Sequence, residues 1–224
     1  MSVVQSLLRL EFDKLITVVQ NSTADNVLST AISAIEFNTV NWSDEFKILY
    51  NKIVKAFVYY TIQDLSSSKA EPKFNISKDM NDYINDFTAN KIKLINDTTK
   101  QDVKYIILKN LEAGNRMRSI EYDLRQLYDG FNKSRAKTIA RTEVAGISNY
   151  GSLMGAFEAG AKTKKWIPIL DKFTRDSHWE MEDYQEIELD EYFNVGNSKM
   201  QYPGDPNGAA EEVINCRCSL NFSR

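Results

Sequence analysis

The sequence predicts an α+β protein, with a mostly helical N-terminal portion followed by a compact α+β C-terminal domain. Three observations carry that expectation. Apolar residues recur at helical spacing through most of the first 160 positions. After Gly160 the pattern changes to the short β-like run Trp166-Ile167-Pro168-Ile169-Leu170, with a terminal alternation Cys218-Ser219-Leu220-Asn221-Phe222. Between these two runs, residues 203–208 read Pro-Gly-Asp-Pro-Asn-Gly, a dense turn cluster. With 42% hydrophobic and 26% charged residues, the 224-residue chain can bury a core, which excludes wholesale disorder.

The elements follow in order. Val4, Leu7, Leu8, Phe12, Leu15, Ile16 and Val19 form one apolar stripe, and Asn21-Ser22-Thr23 supplies a stop and a new cap. Val27, Leu28, Ala31, Ile32 and Ile35 form a second stripe, and Phe46, Leu49, Tyr50, Ile53, Val54, Phe57 and Val58 a third. Residues 66–77, with several serines, Pro72 and no periodicity, read as a linker. A short helix is expected around Met80, Tyr83, Ile84 and Phe87. Another should start at Thr99, with Asp102 three residues on as in a capping box, and stop at Gly114. Ile120, Leu124 and Leu127 run to Gly130, and a long helix is expected from Ser134 to about Ala159, with Ala136, Ile139, Ala140, Ile147, Met154 and Phe157 inward. These elements divide into a helical region over residues 1–90 and a second domain over 91–224.

Charge is unevenly spread. The net charge is −3. Residues 91–145 carry 12 basic and 7 acidic groups, whereas the segments on either side are acidic. The stripe Lys133, Lys137 and Arg141 advances by four and lies on one helix face, so it is a candidate contact for nucleic acid or an acidic partner, a solvated face being the plainer reading. No run of ~18 apolar residues is present, and Val3 to Leu10 is broken by Gln5, Ser6 and Arg9. Neither a membrane span nor a secretory signal is expected, and the chain should remain in a cytoplasm or in a particle assembled there.

Generic catalytic signatures are absent: there is no phosphate loop, nucleophile elbow, zincin helix or paired CxxC. One histidine, His178, excludes chemistry that needs two. Cys216 and Cys218 would lie about 6.6 Å apart in an extended segment, near the limit of disulfide geometry. They read as small buried thiols on the terminal strand. The alternative is a metal site, zinc by ligand type, with His178 as the third ligand.

Several unusual pieces follow one another in the C-terminal half. Ile139-Ala140-Arg141-Thr142-Glu143 comes first, then Asn149, Gly151, Ala156 and Gly160, and then Lys165-Trp166. Asp171, Thr174-Arg175 and His178 follow at D-x-x-T-R-x-x-H spacing, and Pro203-Gly204-Asp205-Pro206 and Asn215-Cys216-Arg217-Cys218 complete the series. In their order and spacing these pieces resemble the phage Mu F-like family of head morphogenesis (minor capsid) proteins, over roughly residues 90–222. Phe173 and Tyr184 depart from the family pattern, which has Arg or a similar residue and Gly there.

The resemblance implies a bacteriophage virion component in few copies, on the capsid interior near the portal, acting in head assembly, DNA packaging and DNA ejection. The implied partners are the portal protein, the major coat protein and packaged double-stranded DNA, and no enzyme activity or cofactor is implied. Some relatives carry a toxin domain after this module. With Arg224 six residues beyond Cys218, none is expected here.

Arg141, Glu143, Asp171, Arg175 and His178 then read as a structural polar cluster. Arg141 and Glu143 point about 200° apart on a helix, so one of them should reach the Asp171–His178 segment in a buried ion pair. The competing reading is a nuclease-like enzyme in which Arg175 stabilises a developing anion and His178 acts as general acid.

Overall fold

The computed structural model describes residues 3–37, 39–66 and 74–224, without the side chains of residues 37, 40, 41 and 130–133. It is an α+β protein, helical through residue 158 and mixed thereafter. Most of the expected linker, Pro72 included, lies outside the described residues, while Ser66 and residues 74–77 are irregular. Among the described residues no helix is long and apolar enough to cross a membrane.

Five helices come first: α1 (Val3–Gln20), α2 (Val27–Phe37), α3 (Thr39–Leu65), α4 (Lys78–Glu112) and α5 (Met117–Glu158). The last two are longer than their punctuation suggests. Thr99 caps nothing; its hydroxyl donates to the Ile95 carbonyl one turn back, so α4 runs through it. Gly130 likewise falls inside α5, because a glycine costs a helix only about 1 kcal/mol, which packing of the flanking turns offsets. Gly114 and Gly160 do end their helices, with φ of 66° and 71°. Phe157, expected inward, is exposed, and Leu153 occupies the buried position.

The chain folds as two compact units interleaved along the sequence. The first comprises residues 1–47 and 85–137, the second residues 48–84 and 138–224. In the first, Leu15, Ile16 and Val19 of α1 pack with Val27, Ala31 and Ile35 of α2 and with Val103, Ile107, Ile120 and Leu124. Glu11 is buried in the same helix face, and its carboxylate accepts from Trp42 Nε1 at 3.1 Å.

The second unit contains the sheet. Strand β1 (Thr163–Ile167) pairs antiparallel with β2 (Ile187–Glu188) on one side and β5 (Ser219–Ser223) on the other. A hairpin joins β3 (Phe193–Val195) to β4 (Ser198–Met200). Two single-turn helices, α6 (Asp176–Trp179) and α7 (Ala210–Val213), fill the connections. Trp166, Met181, Phe193, Val195, Met200 and Val213 form the core here, together with both cysteines. Alternation along β1 puts Lys164 on the buried face beside Trp166, where its ammonium donates to the Gln201 carbonyl at 3.0 Å. Within this unit α5 lies hard against α3: a Cβ at Gly155 would stand 2.8 Å from the Val58 carbonyl oxygen.

Candidate functional site

The C-terminal motifs converge on three short segments of the second unit. After β1, Pro168 interrupts the strand, and residues 169–175 form a self-bonded loop. Asp171 Oδ1 accepts from the Phe173 amide at 2.8 Å, the Thr174 amide donates to the Asp171 carbonyl at 2.9 Å, and the Thr174 hydroxyl donates to the Ile169 carbonyl. The D-x-x-T spacing is thus the spacing of a side-chain-stabilised turn. The loop delivers α6, which carries His178.

The second segment is residues 214–218, between α7 and β5. Asn215 takes the left-handed conformation, φ 59°, which asparagine tolerates better than most side chains. From here the chain is extended, so Cys216 and Cys218 face inward while Arg217 faces out. Both cysteines precede β5 and do not lie on the terminal strand where the sequence places them. Arg217 forms a bidentate pair with Asp171, with both N–O distances 2.6 Å, and this holds the Asp171 carboxyl well below the usual carboxylate range.

The third segment is α5, which fastens the second segment and the turn at residues 203–208. Asn149 Nδ2 donates to the carbonyls of Pro203 and Cys218 at 3.0 and 3.1 Å, and the Thr142 hydroxyl accepts from the Asn215 amide at 2.9 Å. The turn at residues 203–208 closes on itself, because Asp205 accepts from the amides of Gln201 and Asn207. Gly204, at φ 86°, abuts Gly146 so closely that a Cβ would stand 2.6 Å from its Cα. Only glycine satisfies both constraints.

His178 is 2% exposed, and its ring meets the edge of Trp166. Its Nδ1 lies 3.3 Å from Cys218 Sγ and 3.7 Å from Cys216 Sγ. Its Nε2 stands 3.0 Å from Glu212 Oε2, off the line of a hydrogen bond. Glu212 is itself buried, accepts from the Ser177 hydroxyl at 2.8 Å and lies against Gly196, where a Cβ would come within 2.3 Å of Oε1. The neighbouring Cys216 thiol holds Cys218 well below the ordinary thiol range, with His178 acting in the same direction. The Cys218 sulfur beside it and burial push Cys216 well above the ordinary thiol range. Residues 169, 173–175, 178 and 215–218 line a small pocket at this place.

The five residues of the expected polar cluster therefore separate. Asp171 bonds Arg217, Arg175 donates to the Ile214 carbonyl, and His178 faces the cysteines and Glu212. Glu143 is buried and accepts from the Tyr50 hydroxyl at 2.7 Å, so its carboxylate supports the α3–α5 contact. Arg141 is exposed. The link from α5 to this site is made by Thr142 and Asn149, neutral residues that spare the cost of burying a charge. Of the basic stripe, Lys137 and Arg141 are exposed on α5, and the side chain of Lys133 lies outside the described residues. Sequence reasoning missed Glu212 and Lys164. Glu212 sits in the run Ala-Ala-Glu-Glu with no motif around it, whereas the strict alternation with Trp166 could have exposed Lys164.

All of these segments fall within one match. The family described as phage Mu protein F like protein matches residues 101–221, more than half of the chain. The chain belongs to the phage Mu protein F like family. This supports a role as a phage head protein. A further relative is an NAD(+)--arginine ADP-ribosyltransferase, EFV, of Enterococcus faecalis, 36% identical over 89 residues. That match covers 38% of this phage Mu F-like chain and 18% of the transferase, so the chain spans about a fifth of that relative's length. No solved structure matches.

Proposed function

We propose that this phage Mu F-like protein is a minor head protein that sits on the capsid interior, docks on the portal or the major coat protein, and serves DNA packaging or ejection by contact and not by turnover. Family membership over residues 101–221 carries the reading. The disposition of the polar residues supports it: Arg175 is directed at a backbone carbonyl and His178 is buried against two thiols and a carboxylate. A general acid must reach the proton it transfers. The transferase activity of the Enterococcus relative is not carried over, since the match covers 18% of that protein.

Mass spectrometry of purified virions and of proheads tests the proposal. The protein is expected in both, at far fewer copies than the coat protein, with chemical cross-links to portal or coat. Absence from both particles would remove the reading.

A further inference from the structure

We propose that His178, Cys216 and Cys218 bind one zinc ion, through Nδ1 and the two Sγ atoms, with a water molecule in the fourth position. The three ligand atoms lie within 4.8 Å of one another, and all three residues are buried. Zinc–nitrogen and zinc–sulfur bonds of about 2.0–2.1 and 2.3 Å at tetrahedral angles set N···S edges of roughly 3.6 Å. The two observed N···S distances, 3.3 and 3.7 Å, bracket that value. One ring nitrogen thus faces two sulfurs at once, which a single N–H or a single lone pair cannot serve equally in hydrogen bonds. A metal ion between the three atoms serves all of them.

A second observation points the same way from the opposite side of the ring. A metal-bound histidine commonly has a carboxylate as the partner of its other ring nitrogen. Here Nε2 stands 3.0 Å from Glu212 Oε2. Glu212 is buried, held by Ser177, and given its room by Gly196. Ligand type selects the metal: two thiolates and an imidazole suit zinc, while carboxylate- and water-preferring cations are disfavoured. Two thiolates also balance a dication, so the ion is buried without added charge. The adjoining pocket, ≈10 Å³, has about the room of one water molecule.

The ion ties residues 216–218 to α6, joining segments about forty positions apart in sequence. Such a clasp contributes its binding energy to folding.

The test uses the untagged full chain purified without chelator. About one zinc per chain is expected by elemental analysis. Chelation should lower Tm, and equimolar Zn²⁺ should restore it. Cobalt(II) added to the stripped protein should give the visible bands of a tetrahedral site with thiolate charge transfer, which requires no variant to fold. Cys218→Ser and His178→Ala should abolish those bands, and Glu212→Gln should keep the site but weaken its zinc affinity by about 10–100-fold. Failure of the stripped wild-type chain to bind either ion, or cobalt bands that survive Cys218→Ser, would overturn the proposal. A negative result leaves the role in the head untouched, because that role is read from virions.

Discussion

Arg175 donates to the carbonyl of Ile214, so its removal deletes one charge-assisted hydrogen bond and orphans no buried carboxylate. Arg175→Ala is therefore expected to lower stability by about 1–2 kcal/mol, the low end for a hydrogen bond made by a charged group, because the contact is solvent-exposed. A variant that melts like wild type yet abolishes a measurable nuclease activity would favour an enzyme. Glu11 makes a different prediction. Burial raises its pKa from 4.5 to about 7, against the opposing effects of Arg135 and Trp42. The folded state thus binds a proton more tightly than the unfolded chain does. The stabilisation is complete below pH 4.5 and is lost as pH rises towards about 7, a change on the order of 3 kcal/mol. Glu11→Gln keeps an acceptor for Trp42 but has no proton to lose. Urea midpoints measured from pH 4.5 to 8 should show the wild type falling relative to this variant, and parallel curves would refute the assignment. The sequence shows a carboxylate on an apolar helix face at Glu11, but not that Trp42 and Arg135 close over it.

At the scale of elements, α3 and α5 approach through the glycines of α5. A Cβ at Gly151 would stand 3.0 Å from Phe57 Cβ, and one at Gly155 2.9 Å from Thr61 Cβ. Gly155→Leu should force the helices apart and cost at least about 2 kcal/mol by overpacking. Thermal unfolding of that variant at wild-type Tm would show that the helices do not pack this closely. Helix type and the glycine stops at 114 and 160 were legible, because periodicity and positive φ are local properties. The joining of two expected helices into α4, and of two more into α5, was not. Thr99 and Gly130 are weak breakers whose effect depends on the packing of neighbouring turns.

On the scale of the whole molecule, part of the basic charge of residues 91–145 is paired or buried within the fold. Lys100 pairs with Glu36 at 2.9 Å, Arg125 with Glu121 at 2.8 Å, and Arg135 lies 3.8 Å from Asp102. Lys91 is buried. Any contact of the exposed Lys137 and Arg141 with DNA is therefore expected to be weak, sequence-indifferent and salt-sensitive. Replacing both by Gln should flatten the slope of log affinity against log salt by about 2 at most. Binding that survives ~0.5 M salt, or that prefers one sequence, would contradict this electrostatic account.

The sequence by itself determined the fold class, the family and the short turns, since each is written in periodicity, spacing or the residues that a local backbone geometry requires. It also named His178, Cys216 and Cys218 as a set without showing that they meet. Only the tertiary structure brought them within 4.8 Å of one another, placed Glu212 behind the histidine, and interleaved the two units along the chain. The physical reason is range. Turn and helix energies depend on residues three or four positions apart. A site assembled from residues 178, 212 and 216–218 depends on how the intervening strands and α5 pack, which no local pattern encodes.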